Sequence, residues 1–109
     1  MFQRRINKRY QSLATATMAD AFIGEAMLKD LSVSGCRIEH TVIINAEHDK
    51  HYTLHVKPEA DAKIGEFDLA VKLCWVKHGN CASEAGFSVV ESPKGKFFQR
   101  YVDYLAYRS

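Results

Sequence analysis

The sequence predicts an all-β fold, about six short antiparallel strands curled into a barrel or rolled sheet and followed by one C-terminal α-helix. Three observations predict it. Apolar and polar residues alternate over several segments between residues 36 and 91, and the period lengthens to that of a helix after residue 92. The chain has 109 residues, 47% of them apolar, which suffices for one core and not for two. A rolled sheet is preferred to an open one because closure removes unpaired strand edges.

Along the chain, residues 1–10 hold Arg4, Arg5, Lys8 and Arg9 and no acid, and read as a flexible cationic arm. Segments 13–18 and 24–28 are weaker strand candidates with poor alternation. Asp30, Leu31, Ser32, Val33, Ser34 and Gly35 read as a turn between strands. Cys36, Ile38, Val42 and Ile44 against Arg37, Glu39 and Thr41 predict a half-buried strand. Tyr52, Leu54 and Val56 against His51, Thr53, His55 and Lys57 predict another, after which Pro58, Glu59 and Asp61 interrupt the pattern. Phe67, Leu69, Val71, Leu73 and Trp75 share one face of a third strand, opposite Asp68, Lys72 and Lys77; a turn near His78, Gly79 and Asn80 precedes a fourth over residues 86–91. Ser92 as cap, Pro93 at the first helical position, and Phe97, Phe98, Tyr101, Val102 and Leu105 at helical spacing predict a helix over 92–107 packed on the barrel. Tyr104 and Tyr107 fall off that face and could serve a partner or a second copy. One domain results: arm 1–10, barrel 11–91, helix 92–107.

Charge and composition exclude several function classes. The net charge is +2, and beyond residue 10 eleven bases face thirteen acids, so bulk charge does not hold the protein to nucleic acid or membrane. The longest aliphatic run is Val42-Ile43-Ile44, far short of the roughly 18–20 apolar residues of a membrane span. No secretory leader is evident, and three cysteines without a Cys-x-x-Cys pair fit a reducing compartment, so a cytoplasmic location is expected. Cys36 and Cys74 are expected to be small buried side chains. Nucleophile elbows, zinc-protease motifs and phosphate loops are all missing, and no enzyme is expected. His51 and His55 would share a strand face about 13 Å apart, too far to chelate one metal, and read as solvated.

Two segments carry recognition chemistry. Arg4, Arg5 and Arg9 offer planar, permanently charged guanidiniums with paired donors, which suit phosphate oxygens and the O6/N7 edge of guanine. In the 30–35 segment a turn would present the Asp30 carboxylate and the Ser32 hydroxyl together, with Gly35 allowing a positive φ or close approach of backbone to a ligand. A carboxylate can accept the N1–H and N2–H donors of guanine.

Together, Arg4-Arg5-x-x-x-Arg9 and Asp30-x-Ser32-x-x-Gly35 closely resemble the two signature motifs of PilZ domains, and the likeness runs over nearly the whole chain. That resemblance implies a six-stranded barrel with a C-terminal helix that binds cyclic di-GMP, with no other cofactor, the arginine arm folding over ligand held against the barrel. By carry-over Arg4, Arg5, Arg9, Asp30, Ser32 and Gly35 are ligand residues. Where the family often shows Trp-x-Arg on a central strand, this chain has Trp75-Val76-Lys77, which keeps the charge and loses the planar fork. Trp75 is a candidate stacking surface, with core packing as the alternative, and Lys77 a candidate ligand contact. Arg4 beside the core motif resembles members that take two intercalated ligand molecules. The implied output is an unidentified downstream effector protein that reads the ordered arm. The rival readings are a PilZ-like adaptor without ligand and a small barrel for single-stranded nucleic acid, the latter disfavoured by the net negative charge outside the arm.

Overall fold

Strands that are apolar on one face must bury that face, and here they do so against one another around a closed ring. The computed structural model describes residues 8–91 and 96–108. Its elements are β1 Tyr10–Gln11, β2 Thr15–Thr17, β3 Ala26–Leu31, β4 Gly35–His40, β5 His51–Lys57, β6 Phe67–His78, β7 Ser83–Glu91 and α1 Phe97–Arg108. The order β3-β2-β5-β6-β7-β4 returns to β3 through antiparallel pairings, giving a closed six-stranded barrel with β1 added on β3. β1 and β2 share one edge of β3. Between them the Ser12 N–H donates to the Lys29 carbonyl and the Leu28 N–H to the Ala14 carbonyl, so the ladder continues across the break. Among the described residues no helix is long and apolar enough to cross a membrane.

Leu28, Ile38, Leu54, Leu69, Val71 and Phe87 fill the interior. Helix α1 covers one end with Phe98, Tyr101, Val102 and Leu105; Phe67 meets the rings of Phe98 and Tyr101 at 5.7 and 6.0 Å. The expected helix starts at Ser92 and Pro93, which lie outside the described residues. Phe97 lies beside Gly65 and is half exposed, Tyr104 stacks on Tyr101, and Tyr107 stands in solvent. A polar chain runs beneath the helix. The Ala14 N–H donates to Ser12 Oγ (2.9 Å), the Ser12 hydroxyl lies 2.9 Å from that of Tyr101, and Tyr101 donates to Glu59 Oε1 (2.6 Å). Burial first, and the Glu59 bond second, push the Tyr101 phenol well above its ordinary pKa, so it stays a donor.

The strands depart from their expected bounds for local reasons. The strand expected over 36–44 ends at His40, whose ring takes over from the ladder: Nε2–H donates to the Ile23 carbonyl (2.6 Å) and Nδ1 accepts the Thr41 N–H (2.9 Å). Ile44 is buried from a loop, while Val42 and Ile43 are exposed. The weak 24–28 candidate is β3, running to Leu31, so Asp30 lies on a strand and not in a turn. Bulges shift the register at Leu28/Asp30, at Leu73/Trp75 and at Ala70/Val71, leaving Lys29, Cys74 and Val90 without a partner across the ladder. The second bulge turns Trp75 away from the core face that alternation predicts for it; Cys74, expected inside as a small thiol, follows inward Leu73 onto the outer face and is exposed. His55 is not simply solvated. Its ring nitrogens lie 2.6 Å from Glu66 Oε1 and from Asp68 Oδ1.

Tyr101→Phe removes the bonds to Ser12 Oγ and Glu59 Oε1, leaving Ser12 Oγ only the Ala14 N–H and the Glu59 carboxylate only Arg108 among the described residues. Urea unfolding should therefore show a loss of about 1–3 kcal/mol; an unchanged midpoint would remove the polar chain from the stability account. Hydrogen bonds to Glu66 and then Asp68 raise the His55 pKa, so the folded chain favours the imidazolium. That contribution is complete below the ordinary histidine value of about 6.5 and is lost as pH rises through the elevated folded value. His55→Gln should therefore lower the melting temperature near pH 6 and have little effect near pH 9, a modest difference at so exposed a pair.

Candidate ligand-binding site

The register of the barrel sets one outward row across five strands: Gln11 opposes Asp30, Asp30 opposes Arg37, Arg37 opposes Gly86, and Gly86 opposes Trp75. Alternation and the two bulges place these side chains on one face. Asp30 Oδ2 accepts from Arg37 Nε at 3.0 Å, and the bond to Asp30 is the main reason the Arg37 pKa lies above its already high value. Arg37 Nη1 also reaches Glu84 Oε2 at 3.6 Å. Among the described residues, buried Asp30 Oδ1 has no hydrogen-bond partner; Arg9 Nη1 faces it at 3.5 Å, an ion pair that is not a hydrogen bond. One carboxylate oxygen is thus fixed and the other is covered loosely by a charged side chain of the arm.

The glycines make room. A Cβ on Gly35 would lie 2.9 Å from the Phe87 carbonyl and 3.2 Å from Arg9 Nη2, so the glycine lets β7 backbone and the Arg9 side chain come close, and its φ is not positive. At Gly86 a Cβ would lie 2.2 Å from Trp75 Nε1, because the indole lies across that glycine, 37% exposed. Lys77, two residues on, shares the outward face opposite Glu84.

Ser32 differs from expectation. The Ser32 N–H donates to the Gly35 carbonyl (2.8 Å), and Ser32 Oγ accepts the N–H groups of Ser34 and Gly35 (3.1 Å each). Only 1% of Ser32 is exposed, so its hydroxyl shapes the β3–β4 hairpin and is not presented beside the Asp30 carboxylate. Arg4 and Arg5 lie outside the described residues. Cys36, on the inner side behind Asp30, has its thiol pushed up to about 12 by burial and then by the Asp30 charge, which leaves it inert.

An open cleft of about 590 Å³ adjoins the row on the arm side. Lys8, Arg9, Lys29, Arg37 and Arg108 line it, and no acid is among its described lining residues. Arg108 donates to the Gln11 carbonyl (2.6 Å) and to Glu59 Oε2 (3.3 Å), fastening the base of the arm to α1. The site therefore offers one carboxylate acceptor, several cationic donors and one aromatic face, a set suited to an anionic ligand with a hydrogen-bonding ring.

No known family model and no curated protein matches this chain. The sequence points to Arg9, Asp30, Gly35 and Trp75, which the fold brings to one face, and does not single out Arg37, Lys29 or Gly86 for the site. Arg37 is legible as the polar residue between Cys36 and Ile38; the bulge that displays Lys29 leaves no mark in the pattern.

Gly86→Ala should drive the single Trp off its seat. Tryptophan emission should move to the red and acrylamide quenching should rise, with far-UV dichroism unchanged; identical emission would show that the indole does not rest on Gly86.

Proposed function

We propose that this protein is a non-catalytic receptor for cyclic di-GMP. One observation carries the reading: Asp30 Oδ1 is desolvated and, among the described residues, has no hydrogen-bond partner and is faced by Arg9 at 3.5 Å, beyond a good hydrogen bond. A buried acceptor without a donor is costly unless something fills it, and the N1–H and N2–H of guanine are donors of the required kind. The residues that resemble PilZ motifs are the ones concerned, Arg9 and Asp30 together with Gly35.

On this reading Arg37 holds the Asp30 carboxylate in one orientation while Arg9 swings from Asp30 to a phosphate or to the guanine O6/N7 edge. Trp75 offers its face to a purine and Lys77 its charge to the ring; Arg4 and Arg5 add guanidiniums from the arm, and Ser32 keeps the hairpin in shape. Ordering of residues 1–10 around the ligand then creates a surface for a downstream effector protein. The three free thiols, two of them exposed, fit a cytoplasmic setting.

Calorimetric titration with cyclic di-GMP tests this. Wild type should bind saturably, at a stoichiometry of one or two, and Arg9→Ala and Asp30→Ala should each weaken binding by roughly 5- to 150-fold, as loss of about 1–3 kcal/mol implies. Cyclic di-AMP, whose bases lack the N1–H and N2 amino donors, should bind far more weakly. Equal heats from wild type and both variants would refute the site. A flat wild-type titration would leave the adaptor reading in its place.

A further inference from the structure

The barrel end away from the Asp30 hairpin presents apolar side chains to water on a fixed frame. It is built from the β2–β3 loop, residues 18–25, and the β4–β5 loop, residues 41–50. Ile23 is 86% exposed and Ile43 67%, with Val42 beside it. These are not slack loops. The Asn45 N–H donates to the Ala21 carbonyl at 2.7 Å, Ala21 and Phe22 close a turn on the Met18 carbonyl, and the His40 ring binds the Ile23 carbonyl while Phe22 meets it edge-on at 5.1 Å. A cleft of about 650 Å³ lies between the two loops.

The charge on these two loops is mostly acidic. The loops carry Asp20, Glu25, Glu47 and Asp49, all exposed, against Lys50 as their one Lys or Arg. None of the four carboxylates has an ion-pair partner among the described residues. Exposed isoleucines on a hydrogen-bonded frame mark a contact surface, since such a frame has little ordering entropy left to lose on binding. Unpaired carboxylates around it select the sign of what binds.

We infer that this end docks a peptide segment of a partner protein whose apolar side chains are flanked by Lys or Arg. An acidic segment, a nucleic acid or an anionic lipid surface would meet uncompensated carboxylates there. The inference is independent of the nucleotide reading, because it concerns the opposite end of the barrel and needs no ligand.

The probe is a fluorescein-labelled amphipathic peptide of Leu and Lys, followed by anisotropy against the full chain without nucleotide; a peptide with Glu for every Lys is the control. The Leu-Lys peptide should bind saturably and the Leu-Glu peptide should not. Ile23→Ser with Ile43→Ser, and separately Asp20→Asn with Glu47→Gln, should each weaken binding by at least about tenfold. The charge variant keeps the test decisive if the serine variant folds poorly. Equal binding by wild type and both variants, or equal binding of the two peptides, would overturn the inference. So would a concentration-dependent dimer in sedimentation that Ile23→Ser abolishes, which would assign the patch to a second copy, or flotation with phosphatidylglycerol vesicles, which would assign it to a membrane.

Discussion

The pairing of β3 with β4 closes the barrel, and the site depends on that closure. Because β3 is paired on both edges, to β1 and β2 on one and to β4 on the other, Asp30 sits within a continuous sheet and not at a margin. Its carboxylate is therefore flanked by backbone on both sides and meets Arg37 directly across the ladder. The inner face behind it is packed with Cys36, Leu28 and Leu31, which excludes water from below and leaves Oδ1 dependent on whatever covers it from above. In an open sheet the same residues would be solvated edge groups with little demand for a partner.

Much of this is legible in the sequence, and the gaps have physical causes. Strong alternation locates β5, most of β6 and the apolar face of β4, and the change of period locates α1. β2 and β3 are faint because Ala14, Ala16 and Ala26, small residues that fill a tight part of the barrel, carry little periodic signal. Alternation puts Trp75 on the wrong face because a bulge reverses the phase it assumes, whereas Cys74, expected inside only as a small thiol, lies on the outer face that alternation gives it. Ser32 is legible as a turn residue, but its hydroxyl does not face outward as expected. Pattern gives position along the chain, whereas the direction of a hydroxyl depends on which backbone groups lack partners.

The molecule is polar along its length in the electrostatic sense. Cations gather where the arm, β3 and the end of α1 meet, and uncompensated carboxylates gather around the loops at the other end. Arg108 links the arm side to the helix through Gln11 and Glu59, and the Ser12, Tyr101 and Glu59 chain ties the same strand break to the base of α1. A displacement of residues 9–12 is thus felt first by the helix, through direct bonds, and by the distant loops only through the barrel wall.

The bulges have a consequence for how such a chain can change in length. Lys29, Cys74 and Val90 are each a supernumerary residue in an otherwise regular ladder. Excising one of them heals the strand and preserves the side toward which every later residue points, so Trp75 and Lys77 would still look outward without Cys74. Excising a neighbour such as Val71 would instead invert the facing of the rest of β6. The positions beside Asp30 and Trp75 are therefore the seams at which a lineage could shorten its strands by one residue without turning the barrel inside out.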